Sequence, residues 1–216
     1  MPVLGITGGV ACGKTTFTDT LSLHFPDATR FNADTEVERL IARDPEVRAA
    51  IIRALGRDSF LGDGSYNRAL VRRLIFLDGD LRTQLNEILH PRVRACWLAL
   101  AKQHRSPQDW LFLEIPLLYE TGGNVHCNRV ITVGCTTEVQ MHRLTVLRGL
   151  PEAQAQQIIV AQWSLHEKSN RADHLIWNDC PSPSLKRQAA ICAAWLRSHY
   201  SRVRSVSEPP GSQRAH

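Results

Sequence analysis

Short apolar runs alternate with amphipathic stretches along this chain. Residues 3–6 are apolar and end at Thr7-Gly8-Gly9, the pattern of a buried strand entering a turn. Residues 14–24, with Phe17, Leu21 and Leu23 apolar, stop before Pro26, which predicts a helix. A second strand is expected over 28–32. Asp34 then stands where a helix N-cap belongs, ahead of Val37, Leu40 and Ile41. Pro45 opens a further helix that Gly56 closes. Asp63-Gly64 is a turn signal, and helices follow over 68–77 and 81–104, separated at Asp78-Gly79. Trp110 to Leu113 is a compact apolar run ending at Glu114, a buried strand, and 129–133 is another. Helices are expected over 137–148, 151–162, 165–171 and 184–199, with a last short strand over 174–177.

Strands alternating with helices imply an α/β fold, a parallel sheet of about five strands with helices on both faces. The stretch from 64 to 105 contains no strand and reads as a helical insertion. The last residues, 201–216, are rich in Ser, Arg and Pro and are expected to be disordered.

With 216 residues, the chain suits one domain able to bury its own core. Its hydrophobic share of 43% and charged share of 22% are ordinary globular usage, which excludes wholesale disorder. No apolar run approaches the ~20 residues of a membrane helix, and no secretory signal is visible at the first residues. None of the six cysteines forms a CxxC pair, so the usual zinc spacing is absent. Free thiols in a reducing cytoplasm are the reading.

Net charge is +5, but it is unevenly spread. Residues 66–105 carry +5, residues 140–172 carry +2 and the last sixteen carry +2, so the remainder is acidic at −4. A basic surplus fits nucleic acid, a membrane surface or phosphorylated small molecules, and composition does not choose among them.

A motif does. Gly8-Gly9-Val10-Ala11-Cys12-Gly13-Lys14-Thr15 fits G-x-x-x-x-G-K-[ST], between an expected strand and an expected helix. Glycines let successive N–H groups face one phosphate, and the helix N-terminus adds positive potential. Lys14 reaches the β- and γ-phosphates, and the Thr15 hydroxyl can ligate Mg²⁺. Cys12 lies inside the loop beside Lys14. It either fills a small-residue slot, the favoured reading, or is a reactive thiolate that alkylates quickly and is protected by ATP. A GTPase should carry an Asn-Lys-x-Asp motif late in the chain, and none is present. A kinase needs a carboxylate to accept the acceptor hydroxyl's proton, and cations around the transferring group. Asp34 and Glu114 sit after strands. Arg143, Arg148 and Lys168 lie on late helices that could fold over a nucleotide.

Over residues 3–200 the chain resembles the dephospho-CoA kinases. Thr7-Gly8-Gly9 and Gly13-Lys14-Thr15 match the family's loop, and Asn32-Ala33-Asp34 its Asp-Ala-Asp. Asn67-Arg68 through Phe76 resembles its Asp-Arg…Phe. His90-Pro91 and Pro116-Leu117-Leu118-Tyr119-Glu120 follow in order. Gln140, Arg143-Leu144, Gly149-Leu150, Gln162, Lys168 and Ala172-Asp173 match its lid pattern. The resemblance implies a P-loop kinase fold with a helical CoA-binding insertion near 64–105 and a helical lid near 137–172. It implies transfer of the ATP γ-phosphoryl group to the ribose 3′-hydroxyl of dephospho-CoA, with Mg²⁺. Asp34 takes the role of base, with Lys14 and Arg143 as catalytic cations. Gly9, Ala11, Cys12, Gly13, Lys14, Thr15, Thr16 and Arg148 would hold the nucleotide, and Thr15 the metal. Arg68, His90, Pro116 and Leu117 would hold the acceptor. No nucleic-acid or membrane partner is implied, and the enzyme is expected to be cytoplasmic, a monomer or weak homo-oligomer.

The chain departs from the pattern in five places. Asn32 replaces the first acid. Ala11 replaces a loop glycine, which requires a negative φ there. Leu147 and Ile158 stand where lid arginines are usual, with Arg148 next to the first. Glu38 replaces a basic residue. Two rival functions share some features: another nucleoside or nucleotide kinase, and a non-catalytic nucleotide-binding module. The 64–105 insertion with His90-Pro91 argues against the first. Intact Lys14, Thr15 and Asp34 argue against the second.

Overall fold

The computed structural model describes residues 2–103, 109–179 and 182–207. Residues 104 and 105 of the expected insertion, Cys180 and residues 208–216 lie outside them.

Five parallel strands form one sheet: β1 (Val3–Gly8), β2 (Thr29–Asn32), β3 (Leu111–Glu114), β4 (Arg129–Gly134) and β5 (His174–Trp177), in the order β2-β3-β1-β4-β5. β1 is central, with Ile6 opposite Glu114 on one side and Gly8 opposite Val133 on the other. Parallel strands are joined by helical crossovers that cover both faces, so their side chains are buried on both sides. All six residues of β1 and all four of β3 are accordingly buried.

Leu4, Ile6, Phe112, Ile131 and Val133 point to one face. There they pack with Phe17 and Leu21 of α1 (Lys14–Ser22) and Leu185, Ala189 and Leu196 of α9 (Ser182–Ser207). Val3, Phe31, Leu111, Leu113 and Val130 point to the other face. That face is covered by α2 (Ala33–Arg43), α3 (Pro45–Leu55), α4 (Arg68–Leu77) and α5 (Gly79–Gln103). On α5, Leu85, Leu89, Val93 and Trp97 recur every fourth residue and are all buried, as one helix face requires. Asp78 starts this helix by accepting from the N–H groups of Asp80 and Leu81. Pro91 lies inside it, and the Arg92 guanidinium donates to the Ile88 carbonyl one turn back.

Four expectations change. The N-cap of α2 is Asn32, whose side chain accepts from the Thr35 N–H, and Asp34 falls in the first turn. The expected helix over 137–148 divides into α6 (Thr137–His142) and a π turn (Arg143–Leu147). It is followed by α7 (Glu152–Val160) and α8 (Leu165–Arg171), the latter started by a Ser164–Glu167 capping box. α9 runs to Ser207, into the segment expected to be disordered. Ala11 has φ 57, the opposite sign from that expected.

Candidate active site

Ligands in parallel α/β sheets bind beyond the carboxyl ends of the strands, and here those ends converge. The phosphate loop leaves β1 at Gly8, whose φ is 143 and where a Cβ would collide with the Val133 carbonyl. It enters α1 at Gly13, with φ 85, where a Cβ would strike the Asn178 amide. Both positions therefore demand glycine.

The loop is held from the far end of the chain. Val10 donates its N–H to Gln162 Oε1 at 3.0 Å and accepts from Gln140 Nε2 at 2.8 Å. The Cys12 carbonyl accepts from Asn178 Nδ2 at 2.9 Å. Arg143 donates to the carbonyls of Ala11, at 3.0 Å, and Asn178, at 2.9 Å. Gln140 and Gln162 belong to the lid pattern, whereas Asn178 lies outside every motif of the sequence. Its signal was its place just after a strand.

Lys14 is buried, and Nζ donates back to the carbonyls of Gly9 at 2.9 Å and Gly8 at 3.3 Å. Burial lowers its pKa, and the neighbouring Cys12 and Asp34 oppose that shift. The Thr15 hydroxyl donates to Glu114 Oε1 at 2.5 Å, and Glu114 is itself buried. These two oxygens, with the Asp34 carboxylate facing the same cleft, form an all-oxygen set of the kind Mg²⁺ prefers.

Cys12 is buried against Cys135, Sγ to Sγ 3.3 Å. This is the slot-filling position, and rapid attack by a bulky alkylating reagent does not fit it. The hydrogen bond from Cys135, with Lys14 nearby, outweighs burial and brings the Cys12 thiol down to about 7, while Cys135 is held up.

Three cavities meet at this edge. One, of about 350 Å³, is lined by Val10, Ala11 and Gly13 to Thr16 of the loop together with Asp34, Glu114, Arg148 and Gln162, whereas Cys12, expected to hold the nucleotide, is buried beneath it. A second, of about 450 Å³, lies between α2, α5 and the segment after β3, and includes His90, Arg94, Trp97, Pro116 and Leu117. The third, of about 660 Å³, is lined by α2 and the approach to α4, including Glu38, Tyr66 and Arg68. Asp34 lines all three.

The expected residues are thus brought together in two groups. Ala11, Gly13, Lys14, Thr15, Thr16 and Arg148 line the first cavity, Gly9 holds Lys14 through its carbonyl, and Arg143 braces the loop. His90, Pro116 and Leu117 line the second, and Arg68 the third. His90 is half-buried, which lowers its pKa. Arg68 is exposed and bonds Glu38 at 2.8 Å, so the acid that replaces a basic residue is paired with the candidate acceptor cation.

The departure at Leu147 also finds its place. Leu147 is 70% exposed, whereas Arg148 faces the nucleotide-sized cavity. An α-helix returns to the same face after about four residues, but a π turn takes about five. The π turn beginning at Arg143 therefore gives residue 148 the station that 147 would hold in an uninterrupted helix.

Lys168, fully buried, ties α8 to the segment after β3. Nζ donates to the Pro116 carbonyl at 2.8 Å and pairs with Glu120 Oε1 at 2.9 Å. Glu120 also accepts from the Trp163 N–H, the Trp163 ring stacks on Tyr119, and the Arg171 guanidinium lies over the Trp163 ring.

Comparison with known proteins agrees with this geometry. A family model described as dephospho-CoA kinase matches residues 2–183. A dephospho-CoA kinase of Symbiobacterium thermophilum is 36% identical over 197 residues, covering 90% of this chain and 80% of that protein. The solved dephospho-CoA kinase of Campylobacter jejuni superposes with a TM-score of 0.66 at 19% identity, over 91% of this chain and 98% of that one. Shikimate kinase from Acinetobacter baumannii gives 0.50 at 13% identity, over 92% and 94%, which marks the shared fold alone.

Proposed function

The chain belongs to the dephospho-CoA kinase family, and on that premise we propose how its residues divide the work of the reaction. It is a kinase of CoA biosynthesis, moving the ATP γ-phosphoryl group to the ribose 3′-hydroxyl of dephospho-CoA. The observation that carries the residue assignment is the position of Asp34, the carboxylate shared by the nucleotide-sized cavity and both neighbouring cavities. A base that must touch the acceptor hydroxyl while facing the γ-phosphate belongs at such a junction.

In this reading the phosphate loop takes the ATP phosphates on its backbone N–H groups. Lys14 exchanges the Gly8 and Gly9 carbonyls for phosphate oxygens. Arg143 and Arg148 place positive charge where negative charge spreads over the transferring group. Mg²⁺, held by Thr15 with Glu114 and Asp34 near it, would neutralise the phosphate oxygens. Asp34 takes the proton of the 3′-hydroxyl as the hydroxyl oxygen forms the new bond to the γ-phosphorus, and the bond from that phosphorus to the bridging oxygen breaks to release ADP. The 450 and 660 Å³ cavities, joined along Asp34 and Val37, take the long acceptor, with His90, Pro116, Leu117 and Arg68 along its walls. Residues 64–105 act as the acceptor-binding insertion, 137–172 as the lid and 1–200 as one kinase domain. No described helix is long and apolar enough to cross a membrane. A cytoplasmic monomer or weak homo-oligomer without a nucleic-acid partner completes the reading.

The deciding experiment measures ADP release with dephospho-CoA, adenosine, AMP and pantothenate as acceptors, in the presence and absence of Mg²⁺. Turnover is expected with dephospho-CoA and Mg²⁺. Efficient turnover of AMP with none of dephospho-CoA would overturn the assignment.

A further inference from the structure

The thiols of Cys12 and Cys135 are placed with care that phosphoryl transfer does not require. They come from positions 123 residues apart, one in the phosphate loop and one directly after β4. Their sulfur atoms lie 3.3 Å apart, and the two residues are 0% and 1% exposed. Cys12 sits between the loop's glycines, and its carbonyl is already committed to Asn178. Cys135 stands one residue before Thr136, the N-cap of α6.

We propose that Cys12 and Cys135 form a redox-modification site, a dithiol that a hydroperoxide converts to a disulfide, and that the disulfide closes the phosphate loop to ATP. The chemistry balances. The Cys12 thiolate attacks one peroxide oxygen, and the O–O bond breaks. Cys12 becomes a sulfenic acid, and the other oxygen leaves as water or an alcohol after taking a proton. The Cys135 sulfur then attacks the sulfenyl sulfur, and hydroxide departs with the Cys135 proton as water. The two thiols together lose two electrons and two hydrogens, and the peroxide gains the electrons. Cys12 is the attacking partner because Cys135 hydrogen-bonds to it and Lys14 lies close by.

Closing the bond brings the sulfur atoms from 3.3 Å to about 2.05 Å. The loop has little slack to absorb that movement. Ala11 already holds a left-handed φ of 57, and Val10, Ala11 and Cys12 are each fixed by side chains from outside the loop. The N–H groups that cradle phosphate are therefore displaced. Burial excludes bulky reagents and leaves a small peroxide as the fitting oxidant. A nucleotide that fills the loop is expected to slow the oxidation.

The gating half rests on the loop's reading as the ATP site, whereas the disulfide itself does not. The test takes the full reduced chain, treats it with hydrogen peroxide with and without Mg²⁺-ATP, and maps peptides under non-reducing conditions. A Cys12–Cys135 linked peptide, two hydrogens lighter than its parts, is expected, and less of it when ATP is present. By calorimetric titration, ATP affinity should fall roughly tenfold or more, as expected when about one hydrogen bond to a charged phosphate is lost. Dithiothreitol should restore it. Cys135→Ser should bind ATP like the reduced parent and lose the dithiothreitol-reversible change, and Cys135→Ala guards against a folding defect in the first variant. Absence of the linked peptide, or a linked chain with undiminished ATP affinity, would overturn the proposal. If instead the reduced chain fails to bind ATP, the nucleotide reading falls, and the peptide map still decides the disulfide.

Discussion

Replacing Asp34 by Asn keeps the shape of the side chain and removes its capacity to accept a proton. kcat is expected to fall by about 10²–10⁴, the usual worth of a general base, with ATP affinity nearly unchanged. A pre-steady-state chemical quench separates the two, and a fully active variant would remove Asp34 from the role. The adjacent loop offers a different kind of test. Ala11 sits at φ 57, a region that disfavours any residue with a Cβ. Ala11→Gly is expected to stabilise the fold by ~1 kcal/mol, a rise of about 2–4 °C in Tm for a domain of this size. Calorimetry reads this directly, and a drop in Tm would mean that the strained backbone is not there. The sequence alone could not show the strain. The eight-residue motif named the loop, but φ at Ala11 follows from its own contact with Arg143 and from contacts of its neighbours with Gln140, Gln162 and Asn178. No local spacing encodes those partners.

At the level of elements, most of the layout was legible because strands and helices here follow their own periodicity. Helix α4 begins and ends where its pattern predicted, at Arg68 and Leu77. The α2 start was misjudged by two residues, because Asn32 and Asp34 are both competent caps and only the backbone decides between them. The π turn was not legible at all, since residues 143–147 read as ordinary helix. That turn has a functional prediction attached. Arg148→Ala is expected to raise the KM for ATP about tenfold, the ~1.4 kcal/mol scale of one charge-assisted contact, while Leu147→Ala changes it little. Steady-state kinetics at saturating dephospho-CoA compares them. Equal effects at the two positions would mean that the turn does not redirect the arginine.

For the molecule as a whole, acid sensitivity follows from two imidazoles. Burial lowers the pKa of both His90 and His174. A base whose folded pKa is depressed contributes stability that is fully present above its unfolded value, near 6.5, and is lost as pH falls below it. The slope cannot exceed about 1.4 kcal/mol per pH unit for each histidine. Denaturant midpoints measured from pH 8 to pH 5.5 should therefore decline on the acid side, and His174→Gln should flatten the decline. An unchanged profile in that variant would exclude His174 as a source.

The phosphate loop begins at the eighth residue, yet it is shaped by Gln140, Gln162 and Asn178, which bond to it from 130, 152 and 166 residues away. Contacts of such long sequence separation form slowly, because the loop-closure entropy must be overcome before they add stability. During synthesis the loop leaves the ribosome before β5 and the Asn178 that follows it, and waits for them before it has its working form. The working form of the loop thus reports that the sheet has formed through β5.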